Sequence, residues 1–100
     1  MEEQIKQLIE NRDAILINFK AATCDPCEMI TPTLQQVKKA IGQRVAVYTV
    51  DIDEVPHLAT QYHIHSLPML VLFFEGEKVW QSTAVLSKEA IIKKVIDYTH

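Results

Sequence analysis

Cys24 and Cys27 are the only cysteines in this chain of 100 residues, and Asp25 and Pro26 stand between them. Two thiols at that spacing can close an intramolecular disulfide. The apolar run Ile15-Leu16-Ile17-Asn18-Phe19 precedes them and a helical pattern follows. A C-x-x-C held between a strand and a helix points to thiol–disulfide chemistry. The thiolate is the nucleophile, so the environment that stabilises it decides reactivity. Cys24 falls where a helix should begin, and the free N–H groups and dipole of a helix start favour negative charge. Pro26 suits the first turn and holds both sulfurs on one side. Asp25 sets a carboxylate beside Cys24. Like charge is expected to raise that thiol's pKa and disfavour the reduced form, making the pair more reducing. Lys20 would oppose this if its ammonium reaches the site.

The elements around the motif follow from periodicity. Residues 2–11 read as a short amphipathic helix with Ile5, Leu8 and Ile9 on one face. Ala14 to Phe19 reads as a buried strand. Cys24 to Ile41 reads as a long helix with Cys27, Ile30, Leu34, Val37 and Ile41 on one stripe. Pro32 should kink this helix and Gly42 should end it. Val45 to Val50 is a second strand, Val55 to Tyr62 a short helix with Pro56 in its first turn, and Met69 to Phe74 a third strand. Glu75-Gly76-Glu77 makes a tight turn into a fourth strand, Lys78 to Ser82. Ser87 caps a last helix expected to bury Ile91, Val95 and Tyr98. Strands separated by helices imply parallel pairing, with the closing hairpin antiparallel. The order implies one α/β domain over residues 1–100, a central sheet covered by helices on both faces.

Bulk properties exclude several classes. The chain is 48% hydrophobic, enough for a core that needs no disulfide staple. A net charge of −3 and a pI of about 5.7, with no basic cluster, argue against nucleic-acid binding. No apolar run approaches the roughly 18 residues of a membrane span. The start, Met1-Glu2-Glu3, shows no secretory signal, and one close cysteine pair in a cytosolic chain suggests redox or metal chemistry rather than a structural staple. A cytoplasmic location is the expectation.

In this order of elements the chain resembles thioredoxin, from Ala14 through the last helix. Cys24-Asp25-Pro26-Cys27 stands where the family has Cys-Gly-Pro-Cys, and Pro32 where it has a helix-kinking proline. Asp51-Ile52-Asp53 matches the acidic segment after the next strand, Leu67-Pro68-Met69 the loop whose proline is cis in the family, Gly76 the hairpin glycine, and Leu86-Ser87-Lys88 the lead-in to the last helix. The resemblance implies a thioredoxin-like fold with a mixed sheet of about four strands, lacking the family's first strand, so that Val45 to Val50 lies at the edge. It implies Cys24 as the exposed attacking thiol, Cys27 as the buried resolving thiol, and a redox-active Cys24–Cys27 disulfide. A cis bond before Pro68 would expose the backbone of Leu67 to an extended substrate peptide. Departures fall around the motif. Lys20 and Thr23 replace the two active-site tryptophans, Asn18 the buried aspartate, Thr49 the lysine that accompanies it, Asp25 the glycine between the cysteines, and Ala84 the groove glycine. Asn18 is an amide and cannot take a proton from Cys27 near neutral pH.

The leading reading is a thiol–disulfide oxidoreductase acting on protein or low-molecular-weight disulfides, with no cofactor and with electrons from a reductase or a small thiol. The alternative is a thioredoxin-fold module that binds a partner and has little general reductase activity. Metal or cluster binding by the cysteines is a weaker third. His63 and His65 alternate along a segment expected to be extended. They read as exposed polar residues near the groove rather than as metal ligands, and no metal site is assigned. His57 and His100 have no supporting context. Met29, Met69 and Phe74 read as packing, Trp80 as a partly exposed sheet residue, and Glu2, Glu3, Lys38 and Lys39 as solvated helix faces. The open edge makes the chain a monomer or a weak dimer.

Overall fold

The structure, a computed structural model, describes residues 1–99. His100 lies outside the described residues. In chain order the elements are α1 (Glu2–Asn11), β1 (Ala14–Lys20), α2 (Asp25–Ile41), β2 (Ala46–Asp51), a 3-10 turn (Ile52–Glu54), α3 (Pro56–Gln61), β3 (Met69–Phe74), β4 (Glu77–Ser82) and α4 (Lys88–Tyr98). The strands form one sheet in the order β2-β1-β3-β4. β2 runs parallel to β1, but β3 runs antiparallel to it and β4 antiparallel to β3. The expectation of a parallel β3 is therefore corrected. The segment containing α3 carries the chain from β2 past β1 to the far side, where β3 enters from the opposite end.

β1 and β3 are buried on both faces, and their alternating side chains divide the core. Ile15, Ile17, Phe19, Val71 and Phe73 meet Ile5 and Ile9 of α1 and Leu58 of α3. Leu16, Leu70 and Leu72 meet Ile30, Leu34 and Val37 of α2 and Ile91 and Val95 of α4. Each such side chain taken fully from water contributes about 1.5–3 kcal/mol, which sets both helix layers on the sheet. Tyr98, expected in the core, is 41% exposed at the end of α4. It shares the stripe of Ile91 and Val95 but is the last residue of α4, so the burial of that stripe stops one turn before it.

Local chemistry explains the boundaries. Ser87 Oγ accepts from the Ala90 N–H at 3.1 Å and caps α4. Glu75 and Gly76 both have positive φ, the backbone that a two-residue hairpin with right-twisted strands requires. α2 continues through Pro32, whose missing N–H leaves the Glu28 carbonyl without its helical donor. Gly42 follows α2 in right-handed backbone; a Cβ there would collide with the Lys38 carbonyl oxygen, so close approach requires glycine, not a left-handed turn.

Glu2 is more than a solvated face, and His57 has a partner. One Glu2 carboxylate oxygen accepts from the Leu58 N–H at 2.7 Å, and the other lies 3.0 Å from His57 Nδ1, which donates to it. α3 has no side-chain cap of its own, so α1 supplies one from 56 residues away in sequence. Burial pushes the Glu2 carboxyl up, but the Leu58 N–H and the bond and charge of His57 pull it down further. It ends below the ordinary 4.5. A lowered carboxylate pKa adds stability that is full above the ordinary value and is lost as pH falls through the folded-state value. Glu2→Gln is therefore expected to lower the urea midpoint at neutral pH, and the difference from the parent should vanish in acid. A gap that persists below the carboxylate range would mean the charge of Glu2 is not what ties α1 to α3.

Candidate active site

Register brings the functional segments to one end of the sheet. Lys20 at the end of β1 lies beside Asp51 at the end of β2, Phe19 lies opposite Met69 at the start of β3, and Leu70 lies opposite Ser82 at the end of β4. The chain therefore leaves β1 toward Thr23 and Cys24 where Leu67 and Pro68 enter β3 and where β4 runs on to Ala84.

Cys24 is the residue before α2, with extended backbone (φ −145°), and Cys27 lies in the first turn. Their sulfurs are bonded at 2.03 Å with Cα atoms 5.2 Å apart. The Cys27 N–H donates to Cys24 Sγ at 3.2 Å. A sulfur thus occupies the capping place that a serine or aspartate oxygen usually takes, and the helix start is poised to stabilise a thiolate there. The two sulfurs differ in access. Cys24 is half-buried, whereas Cys27 is 1% exposed and belongs to the inward stripe of α2. Thr31 Oγ1 donates to the Cys27 carbonyl at 3.2 Å, bracing this turn one residue before Pro32.

The Leu67–Pro68 bond is cis, with Pro68 buried and Leu67 half-buried. Thr23, Asp25, Pro26 and Ala84 are exposed, and the Ala84 N–H donates to Ser82 Oγ at 3.1 Å. Lys20 is half-buried and makes no salt bridge among the described residues. It lines a cleft of about 450 Å³ shared with α1, in which Asp51 and Glu54 are the carboxylates. Met29, read from sequence as packing, is 66% exposed. It sits off the stripe of Cys27 and Ile30 and presents apolar surface near the start of α2. His63 and His65 are both exposed with ring centroids 6.1 Å apart, but His63 has φ +56°, so the segment is not extended there.

Asn18 is the buried polar residue of the described chain, at 0% exposure, and neither its Oδ1 nor its Nδ2 has a hydrogen-bond partner. By alternation with Leu16 it faces the layer onto which α2 turns Cys27. Thr49 is its register partner on β2 and is exposed. From sequence, a tuning role for Asn18 is an expectation; the fold adds that its amide is unpaired. The Glu2–His57 tie went unseen in sequence because no local pattern links residues so far apart.

Chemistry at this sheet end centres on a sulfur pair that can be opened and closed, and the protein is a dithiol/disulfide oxidoreductase. The family model for thioredoxin matches residues 1–97, and the chain belongs to the thioredoxin family. It is 40% identical over 81 residues to a thioredoxin-like protein of Synechocystis sp., covering 81% of this chain and 77% of that one. It is 38% identical over 81 residues to the thioredoxin of Chlamydia trachomatis, covering 81% and 78%. A mutant thioredoxin from Halobacterium salinarum superposes with a TM-score of 0.88 at 28% identity, over 100% of this chain and 87% of that one. A chain from a structural study of thiol resolution in yeast mitochondrial 1-Cys peroxiredoxin via glutathione/thioredoxin systems gives 0.84 at 26% identity, over 95% and 88%. No helix among the described residues is long and apolar enough to cross a membrane.

Replacing a buried, unbonded polar group by an apolar one of similar shape removes its desolvation cost, about 1–3 kcal/mol. Asn18→Leu is accordingly expected to stabilise the oxidised protein by about 1–2 kcal/mol in chemical unfolding. A loss of stability would show instead that the amide is fully bonded in solution.

Proposed function

We propose that Cys24 is the attacking thiol and Cys27 the resolving thiol in the reduction of disulfides on proteins or small molecules. The difference in access between the two sulfurs carries this reading: Cys24 is reachable at the helix start, and Cys27 is enclosed. The Cys24 thiolate attacks one sulfur of the substrate disulfide, and the other leaves as a thiolate. Cys27 then loses its proton and attacks Cys24 Sγ, releasing the second substrate thiol and leaving the Cys24–Cys27 disulfide. Two electrons pass from the dithiol to the substrate, and a reductase or a small thiol returns them.

An extended substrate would lie along the backbone of Leu67 beside cis-Pro68, with Thr23 and Ala84 bordering the groove. Met29 would add an apolar contact, which favours protein substrates, as does the likeness to the chain from the yeast peroxiredoxin study. The use of both cysteines as one exchangeable pair supports a reducing, cytoplasmic setting. The second reading, a partner-binding module with little reductase activity, is favoured by Asn18, which offers Cys27 no proton acceptor.

Insulin reduction driven by dithiothreitol separates the two. The parent protein is expected to accelerate precipitation and Cys24→Ser to abolish the effect; an inactive parent would favour the module. Cys27→Ser should accumulate a mixed disulfide with substrate through Cys24.

Two substitutions test the tuning residues. Asp25→Gly removes the carboxylate beside Cys24 and should make the pair less reducing in a thiol redox buffer. An unchanged or more reducing potential would remove Asp25 from the account. Asn18→Asp should speed the resolving step, measured as release of substrate from the mixed disulfide, because a carboxylate can take the Cys27 proton. Equal rates would rule out that role for position 18.

A further inference from the structure

Asn18 is sealed from solvent, and both polar atoms of its amide lack a partner while the cysteines are joined. Its surroundings are mostly hydrocarbon. Leu16 along β1 and Leu70 opposite it on β3 share its face, and Ile30 and Leu34 of α2 close the layer. Thr31 is polar, but its hydroxyl donates to the Cys27 carbonyl, and it lines a cleft with Thr49.

One further group lies on this side of the sheet. β1 and β2 are parallel, so α2 must carry the chain back along β1. Moving from Leu16 to Asn18 advances roughly 7 Å toward the sheet end that holds the cysteines. Moving from Ile30 to Cys27 along the inward stripe of α2 steps back about 4.5 Å in the same direction. Cys27 thus comes to the level of Asn18 as Ile30 comes to that of Leu16. Of the buried residues of α2, which are Cys27, Ile30, Leu34 and Val37, Cys27 alone has a side-chain atom that can hydrogen-bond. What that atom can do depends on redox state. A disulfide sulfur has no hydrogen to give. A thiol can donate its S–H, and a thiolate is a charged acceptor.

We propose that Asn18 is the internal partner of Cys27 in the reduced protein, and that its amide, orphaned by the disulfide, biases the pair toward the dithiol. Reduction breaks the Cys24–Cys27 bond with two electrons and two protons from a dithiol, which closes its own disulfide, and Cys27 gains an S–H. That S–H donates to Asn18 Oδ1. Once Cys27 loses its proton, Asn18 Nδ2 donates to the thiolate. The oxidised form carries the cost of an unpaired buried amide, and the reduced form does not. Asn18 therefore makes the couple less reducing than an apolar residue would, without accepting a proton. The inference rests on Cys27 being the enclosed thiol of the pair, as proposed above.

Equilibration of the parent and of Asn18→Leu with dithiothreitol, with thiols counted after an acid quench, tests this. Asn18→Leu should be about tenfold harder to reduce, which is about 30 mV more reducing. Urea unfolding in each redox state is a second reading. The substitution should stabilise the oxidised protein and leave the reduced protein unchanged or weaker. A residue that only fills space would shift both states alike and leave the potential fixed, and that result overturns the proposal. A third reading needs no variant. The Asn18 side-chain amide signals in the NMR spectrum of the parent should shift on reduction, and their hydrogen exchange should slow. Unchanged exchange overturns the proposal even if Asn18→Leu fails to fold. The potential is an equilibrium quantity and does not depend on which thiol attacks. An unchanged potential in a protein that reduces insulin sinks the role of the amide alone, whereas a shifted potential in a protein inactive on insulin sinks the reductase reading alone.

Discussion

Burial of β1 on both faces constrains everything else in this molecule. A strand enclosed by helices above and below has no water for its N–H and C=O groups, and an unpaired buried group costs about 1–3 kcal/mol. β1 must therefore be paired on both sides, by β2 and by β3. Its alternating side chains then decide which helices cover which face. Because β2 runs with it and β3 against it, the end where β1 stops is also where β3 starts. The sulfur pair and the proline loop meet there by topology, though they lie far apart in sequence.

The chemistry builds on that arrangement. The turn out of β1 delivers Cys24 to the start of a seventeen-residue helix, so the residue with the most accessible sulfur is also the one to which a helix N–H donates. The inward stripe that fastens α2 to the sheet includes Cys27, so the second thiol is protected by the same contacts that hold the helix. Access and protection are thus assigned to the two sulfurs by packing. The surroundings are less accommodating. Asp25, which follows Cys24, is exposed, and Asn18 places an unsatisfied amide in the layer beneath. Buried polar groups without partners are uncommon and costly.

Much of this was legible in the residues. The 3-then-4 spacing from Cys27 to Val37 marks the inward face of α2, and the apolar runs of β1 and β3 mark strands buried on both faces. Ser87 marks the start of the last helix. What escaped has physical causes. The direction of β3 depends on where the α3 segment carries the chain, which no local pattern records. Met29 is exposed because one residue of helical rotation separates it from Ile30 on the buried stripe, and Tyr98 because its helix ends there. Glu2 reads in sequence as a solvated helix face and His57 has no context there, since a cap supplied across 56 residues leaves no signature in either segment. The left-handed backbone at His63 likewise broke an alternation that the residue types alone suggested.

By itself the sequence determined the redox couple. Only two thiols exist, their spacing closes a short ring, and the strand-then-helix pattern around them is set by side-chain periodicity. The tertiary structure decided how that couple is presented: which sulfur is enclosed, that cis-Pro68 and Ala84 stand at the same sheet end, and that Asn18 is sealed without a partner. These are relations between segments that pairing and packing bring together. They depend on strand order, direction and register, quantities that belong to the assembled sheet.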